Sequence, residues 1–221
     1  MGLRELKKEQ TRQLLADTAW RLFADRGFDR VTVAEVAREA QVAEATVFNY
    51  FRSKEDLFHA RFEGFETHLL EAVSNRGPGE SVLVAFRRFL FGTGGLLAQV
   101  EAGDPDALDR LRTVNQMIAD SPALLAREHR AIARYTESLA ALLAEEARQS
   151  GTGQDDEAYV KARTAANAMM GVHRTLIDYV RRRVLDGDDA AGLYADVRRL
   201  ADVAFALLET GLGEYAARPA R

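Results

Sequence analysis

Residues 32–51 read TVAEVAREAQVAEATVFNYF, and this stretch decides the fold. Thr32 is a good helix N-cap and Glu35 sits three residues on, so the two satisfy each other's orphan amides as a capping box. Val31 and Val36 stand at the flanking positions of a hydrophobic staple. Val33, Val36, Ala37 and Ala40 repeat at helical spacing and give one narrow apolar face. Gln41-Val42-Ala43 is expected to turn the chain, with Val42 as an apolar plug. A second helix is expected from about Glu44 to Tyr50, with Val47 and Phe51 pointing inward. That leaves Ala45, Thr46, Phe48, Asn49 and Tyr50 for the outer surface. Two short helices joined this way form a helix-turn-helix, which lays its second helix against base edges in the major groove of DNA.

Two more helices bracket the pair. Upstream, Leu15, Thr18, Ala19, Leu22 and Phe23 follow the spacing of an amphipathic helix. Gly27 suits a left-handed terminator, and Phe28 is expected to fold back onto Phe23 as in a Schellman cap. Downstream, Ser53 and Asp56 form a second capping-box pattern. They open a helix whose buried side carries Leu57, Phe58, Phe62, Phe65, Leu69 and Val73. The expected organisation is a helix-turn-helix head over residues 1–53 and a helical regulatory and dimerisation body over 54–221.

Residues 11–58 resemble the N-terminal domain of the TetR family of transcriptional regulators. The likeness rests on the run LLADTAWRLFADRGFDRVTVAEVAREA, then V-A-x-A-T-V-F-N-Y-F, then S-K-E-D-L-F. Gln41 stands where that family usually has Gly, and Ala43 where it usually has a capping Ser or Thr; each change weakens a cap by about 1 kcal/mol or less. The resemblance implies an all-α protein of about nine helices, with a three-helix head and a larger ligand-binding and dimerisation body. It implies phosphate contacts for Lys54, Tyr50 and Thr32. A hydroxyl suits that task, as does an ammonium at a helix N-terminus. Thr46 and Asn49 fall where phosphate or base edges are met, and Asn pairs bidentately with adenine. Phe48 replaces a frequent Tyr, so it packs on a thymine methyl or a sugar without bonding a phosphate. Ala45 shares the outer face, and Glu44 either accepts from cytosine N4 or simply suits the positive end of the helix dipole.

Charge supports DNA binding less strongly. Residues 1–60 carry ten Lys or Arg and ten Asp or Glu, so the head is neutral and must meet phosphate by local arrangement. Arg4, Lys7, Lys8 and Arg12 cluster near the start. They read either as a frayed arm able to reach a minor groove or as a solvated helix start interleaved with Glu5 and Glu9. The remaining residues hold 20 bases and 24 acids, the whole of the net charge of −4. With 221 residues and 47% hydrophobic content, the chain suits a small head plus one larger helical body. It has no cysteine, hence no disulfide or thiolate metal site. No signal peptide pattern opens the chain, and the longest uncharged apolar run, 89–100, is too short to span a bilayer, so a cytoplasmic protein is expected.

The body reads as helices: 80–100, a short one ending near Asp120, a long one from Ser121-Pro122 to about Gln149, then 155–185 and 189–217. A flexible link is expected over 150–153. A homodimer is expected from the last two helices, through Leu176, Val180, Val184, Leu193, Val197, Leu200, Ala204, Leu207 and Leu208, because their apolar arc is wider than one partner needs. A twofold dimer presents two recognition helices to a pseudo-palindromic double-stranded operator. Candidate effector-pocket residues are Phe86, Phe89, Leu90, Asn115, Met117, Tyr135, Asn167, Met170 and His173, which mix apolar surface with a few polar groups. The four histidines show no metal-like pairing, and no phosphate loop or nucleophile elbow appears, so neither an enzyme nor a cofactor is expected. The reading is a repressor released by a small apolar or amphipathic molecule. Its alternative is a helical regulator of the same fold controlled by a partner protein.

Overall fold

The computed structural model describes residues 2–92, 104, 106–149, 155–188 and 190–211. Among these, ten α-helices and one 3-10 turn account for the regular structure: α1 (Leu3–Arg26), α2 (Val33–Glu39), α3 (Glu44–Tyr50), α4 (Lys54–His59), the 3-10 turn Ala60–Phe62, α5 (Phe65–Ser74), α6 (Val82–Leu90), α7 (Ala107–Asp120), α8 (Pro122–Gln149), α9 (Asp155–Leu185) and α10 (Ala190–Thr210). The all-α expectation holds. No described helix is long and apolar enough to cross a membrane. Two compact units emerge: Met1–Gly64 with Thr113–Glu128, and Phe65–Arg112 with His129–Arg221. Parts of three expected features lie outside the described residues: the 93–100 end of the helix over 80–100, the link 150–153, and the last helix beyond Gly211.

The first unit is built around aromatic rings from four places in the chain. Phe58 is fully buried, with its centroid 5.6 Å from Trp20, 5.9 Å from Phe28 and 5.8 Å from Phe62. Leu15, Ala19 and Phe23 of α1, Val36 of α2, and Val47 beside α3's end residue Phe51 complete the core, as their spacing predicts. Helix α2 starts with both halves of its capping box: Glu35 N donates to Thr32 Oγ1 at 3.2 Å, and Thr32 N donates to Glu35 Oε2 at 2.9 Å. Val31 and Val36 are both fully buried at the staple positions.

Four local expectations need correction. Gly27 does have positive φ, and Phe28 packs on Phe23 at 5.0 Å, but ψ at Gly27 is 147°. The chain therefore leaves α1 extended rather than in a left-handed turn, which carries Phe28 directly beneath Phe23. The Schellman motif sits one helix later, after α2, at Gln41. Val42 N bonds to Ala37 O at 2.9 Å and Gln41 N to Arg38 O at 3.2 Å, with Gln41 at φ 57°. Asp56 completes no capping box. Ser53 Oγ accepts from Asp56 N at 3.2 Å, but the Asp56 carboxylate turns to Arg127 Nε at 3.2 Å. The helix expected to run unbroken past Val73 is interrupted by the 3-10 turn and by Gly64 at φ 94°. Apolar periodicity continues through that break, so the pattern conceals it. Finally, α1 begins at Leu3, with Gly2 N donating to Glu5 Oε2 at 2.9 Å, so the N-terminal bases ride on a helix and not on a frayed arm.

Gln41 leads to a direct test. A side-chain-bearing residue in the left-handed region costs about 1–2 kcal/mol, and glycine returns part of that as unfolded-chain entropy. Gln41→Gly is therefore expected to stabilise the first unit by about 0.5–1 kcal/mol, read from the urea midpoint. A lowered midpoint would mean that Gln41 makes a compensating contact worth more than its strain.

The second unit packs α5, α6, α9 and α10 around Leu69, Val73, Phe86, Met169, Met170, Val172, Val197 and Phe205, with Leu139 of α8. Phe65 holds three rings together: Phe89 at 5.1 Å, Tyr135 at 5.0 Å and His173 stacked at 4.8 Å. Arg76 ties α5 to α8 through a bidentate pair with Glu146, at 3.0 and 2.6 Å, and also donates to Val73 O at 2.7 Å.

Candidate nucleic-acid interface

Helix α3 is short, and its orientation is set by two anchors. Val47 and Phe51 are 1% and 2% exposed. Ala45, Phe48 and Asn49 therefore share the outward stripe and are exposed, while Thr46 and Tyr50 flank it half-buried. Phe48 leaves half of its ring surface open, an unusual investment for a large apolar side chain on a polar head. Ala43 supplies no side-chain cap, and Thr46 N bonds only to Ala43 O at 2.8 Å. Glu44 is exposed in the first turn, where its charge suits the dipole.

Side chains around α3 are already committed in ways the sequence does not reveal. Thr32 is exposed, but its hydroxyl is engaged with Glu35 in both directions. The backbone amide of Thr32, followed by its hydroxyl, holds the Glu35 carboxyl below the usual range. Lys54 does not simply extend into solvent. Its Nζ donates to Phe28 O and Val31 O, each at 3.1 Å, and sits 4.3 Å from the centre of the Phe28 ring. The ammonium thus clips the α1–α2 connection to the start of α4, leaving one N–H for any outside acceptor. Asn49 and Tyr50 border a groove whose far wall is the start of α1, with Glu5, Lys8, Glu9 and Arg12. Arg12 is fixed there by Glu63 and by the Phe51 ring at 4.8 Å. The mixed signs in this groove are the local form of the head's zero net charge.

The same unit includes the turn between α7 and α8, a participant that helical periodicity does not announce. Ser121 Oγ, buried, donates to Asp29 Oδ1 at 3.0 Å, and Arg127 meets Asp56. His59 lies alongside with its Nε2 buried and without a partner among the described residues. Burial, then the Arg127 charge, push its pKa down to about 4.

The residues expected to line a pocket separate. Asn115 and Met117 are buried in the first unit. Phe86 is fully buried against Phe205, and Phe89, Tyr135 and His173 meet at Phe65, a residue whose spacing marks it only as helix core. Leu90 is half-buried against the same core. Asn167 and Met170 instead border a cleft of about 260 Å³ between α8 and α9. Of the expected dimer residues, Leu176, Val180, Val184, Leu193 and Val197 are buried within the second unit. Leu200, Ala204, Leu207 and Leu208 are half-buried, and Val203 between them is 63% exposed. No cluster of side chains suited to a metal occurs among the described residues.

Residues 15–60 match the family described as bacterial regulatory proteins, tetR family. That segment is the N-terminal DNA-binding part characteristic of the TetR family. The chain is 28% identical over 158 residues to the HTH-type transcriptional regulator TcmR of Streptomyces glaucescens, an alignment covering 71% of this chain and 67% of that protein. It is 27% identical over 164 residues to the nucleoid occlusion factor SlmA of Pasteurella multocida, covering 74% and 80% respectively. A TetR-family transcriptional regulator from Mesorhizobium loti shares the fold at a TM-score of 0.52, with 15% identity over 91% of this chain and 96% of that one. The fatty acid degradation regulator FadR of Bacillus halodurans does so at 0.52, with 19% identity over 94% and 97%. The resemblance read from the sequence is thus borne out: α2 and α3 fall within the matched segment as its DNA-binding helix-turn-helix, and TcmR is named as a transcriptional regulator.

Proposed function

We propose that the chain is a homodimeric repressor in the cytoplasm that leaves a pseudo-palindromic operator when a small amphipathic molecule binds its helical body. The observation that carries this reading is the α3 stripe: Ala45, Phe48 and Asn49 stand outward on a helix pinned by Val47 and Phe51. In this reading Asn49 reads an adenine edge and Phe48 covers a thymine methyl, while Thr46, Tyr50 and the clipped Lys54 fix the register on phosphate. Thr32 contributes chiefly by capping α2. The surface available to a second copy is the outward stripe of α10, Leu200, Val203 and Leu207, rather than the buried positions nearer its start.

Genomic fragments captured by the purified chain supply the operator for a gel-shift series. Asn49→Ala and Phe48→Ala, both at exposed positions, are expected to weaken operator binding about tenfold or more at unchanged folding stability. Wild-type affinity should fall steeply with salt. Unchanged affinity in both variants would remove α3 from the base-reading role. The match to a nucleoid occlusion factor over 74% of the chain accompanies a second reading, a regulator of the same fold controlled by a partner protein rather than a small ligand. In that case small molecules would leave the gel shift untouched.

A further inference from the structure

We propose that the cleft between α8 and α9 binds a small organic anion with an apolar body. This rests on the reading of the helical body as the receiver of a chemical signal, and it names that signal's chemistry. The cleft measures about 260 Å³, opens to solvent and lies wholly within the second unit. A cleft of this size holds several water-sized groups and so admits a molecule on the scale of a medium-chain carboxylate.

Its lining divides into a floor and a charged rim. Met170 and Thr136 are buried at the bottom, with Ile132 half-buried beside them. The rim carries two guanidiniums, Arg163 and Arg174, against one carboxylate, Glu137. Arg163 NH2 stands 3.8 Å from Glu137 Oε1, a loose pairing, and Arg174 is engaged by no hydrogen bond or ion pair among the described residues. One positive charge is therefore in excess, on the side chain whose planar fork best matches a carboxylate. Asn167 is held in place by its Nδ2, which donates to Arg163 O at 2.8 Å.

Gly171 is exposed and borders the same cleft. It lies in the middle of the 31-residue α9, where glycine is less favourable than alanine. A Cβ built there would meet nothing within 4 Å, so no part of this chain requires its absence. A larger side chain at this position would therefore extend into the cleft space.

Sodium octanoate is the probe, titrated by calorimetry into the full-length chain without DNA, with octan-1-ol as the uncharged comparison. Saturable octanoate binding is expected, with octan-1-ol at least tenfold weaker. Arg174→Gln should weaken octanoate at least tenfold. Gly171→Met should abolish binding by filling the cleft, while its melting temperature without probe stays at or above the wild-type value. Absent octanoate binding, or binding that survives Gly171→Met, overturns the site. Equal binding of octan-1-ol overturns the anionic assignment. Loss of a wild-type dimer in Gly171→Met without probe would show a second copy filling the space, which also overturns it. Because no DNA is present, failure here leaves the gel-shift result standing, and failure there leaves this one.

Discussion

Phe58→Ala is expected to destabilise the DNA-binding unit by about 3–5 kcal/mol and to abolish operator binding at temperatures where the wild type is fully folded. The ring is wholly enclosed and touches Trp20, Phe28, His59 and Phe62, so its loss opens a cavity bordered by four side chains from α1, the α1–α2 connection, α4 and the 3-10 turn. Collapse into that cavity is opposed from two sides. Lys54 bonds the connection's carbonyls at Phe28 and Val31, and Asp56 meets Arg127 from the far segment of the unit. A domain holds only about 5–15 kcal/mol in all, so the deletion removes a large share of the unit's stability. None of these contacts lies on the α3 stripe, which makes the prediction informative: DNA affinity should fall with the folded fraction and recover when osmolyte restores folding. Urea unfolding followed by Trp20 fluorescence measures the loss, since the reporter is one of the rings in question. A loss below about 1.5 kcal/mol would mean that Phe58 is not the centre of the unit. Phe58→Leu, which keeps most of the volume, should cost clearly less.

The contrast between what the residues of this unit announced and what they concealed has physical causes. Thr32 with Glu35, and Val47 with Phe51, are short-range patterns in which partner and spacing are both written in the sequence, and the structure realises them as read. Gln41 was legible only as a departure from a familiar glycine; its positive φ follows from the two Schellman bonds, whose donors and acceptors are backbone and so leave no trace in residue type. The inward clip of Lys54 and the Ser121–Asp29 and Arg127–Asp56 links join residues 23 to 92 positions apart, beyond the reach of any periodicity. In the body, a wide apolar arc on the last two helices suggested an intermolecular face. Much of that arc is spent inside the subunit instead: Val180, Val184, Leu193 and Val197 are buried there. An arc records how much surface is covered, and it does not say by what. The expected pocket residues are divided for a similar reason: Asn115 and Met117 satisfy the apolar pattern of α7 within one unit, while Phe89 and His173 belong to the other.

His173 provides the second large effect, which is set by pH. Its ring stacks on Phe65 at 4.8 Å, and burial pushes its pKa down to about 4 from an ordinary 6.5. A histidine held neutral in the fold but free to protonate when unfolded stabilises fully above pH 6.5. That contribution is lost progressively as the pH falls toward 4. The expected loss is about 2.5 kcal/mol by pH 4.5, from the difference in proton binding between the two states. Glu66, next to Phe65 in sequence, has its carboxyl held below the usual range by Ser138 and then Arg134, so its own contribution fades only at lower pH. The two slopes are therefore separable along the acid limb. His173→Phe retains an aromatic ring for Phe65 to stack on and removes the titration. The variant should match the wild type to within about 1 kcal/mol at pH 7.5, then gain about 2.5 kcal/mol relative to it by pH 4.5, in urea midpoints taken across that range. His59 titrates in the first unit and is unaltered in both proteins, so it cancels from the comparison. Parallel curves for variant and wild type would mean that His173 protonates as readily in the folded chain as in the unfolded one. A partner for that charge would then have to exist among the rings around Phe65, where the structure shows none for it among the described residues.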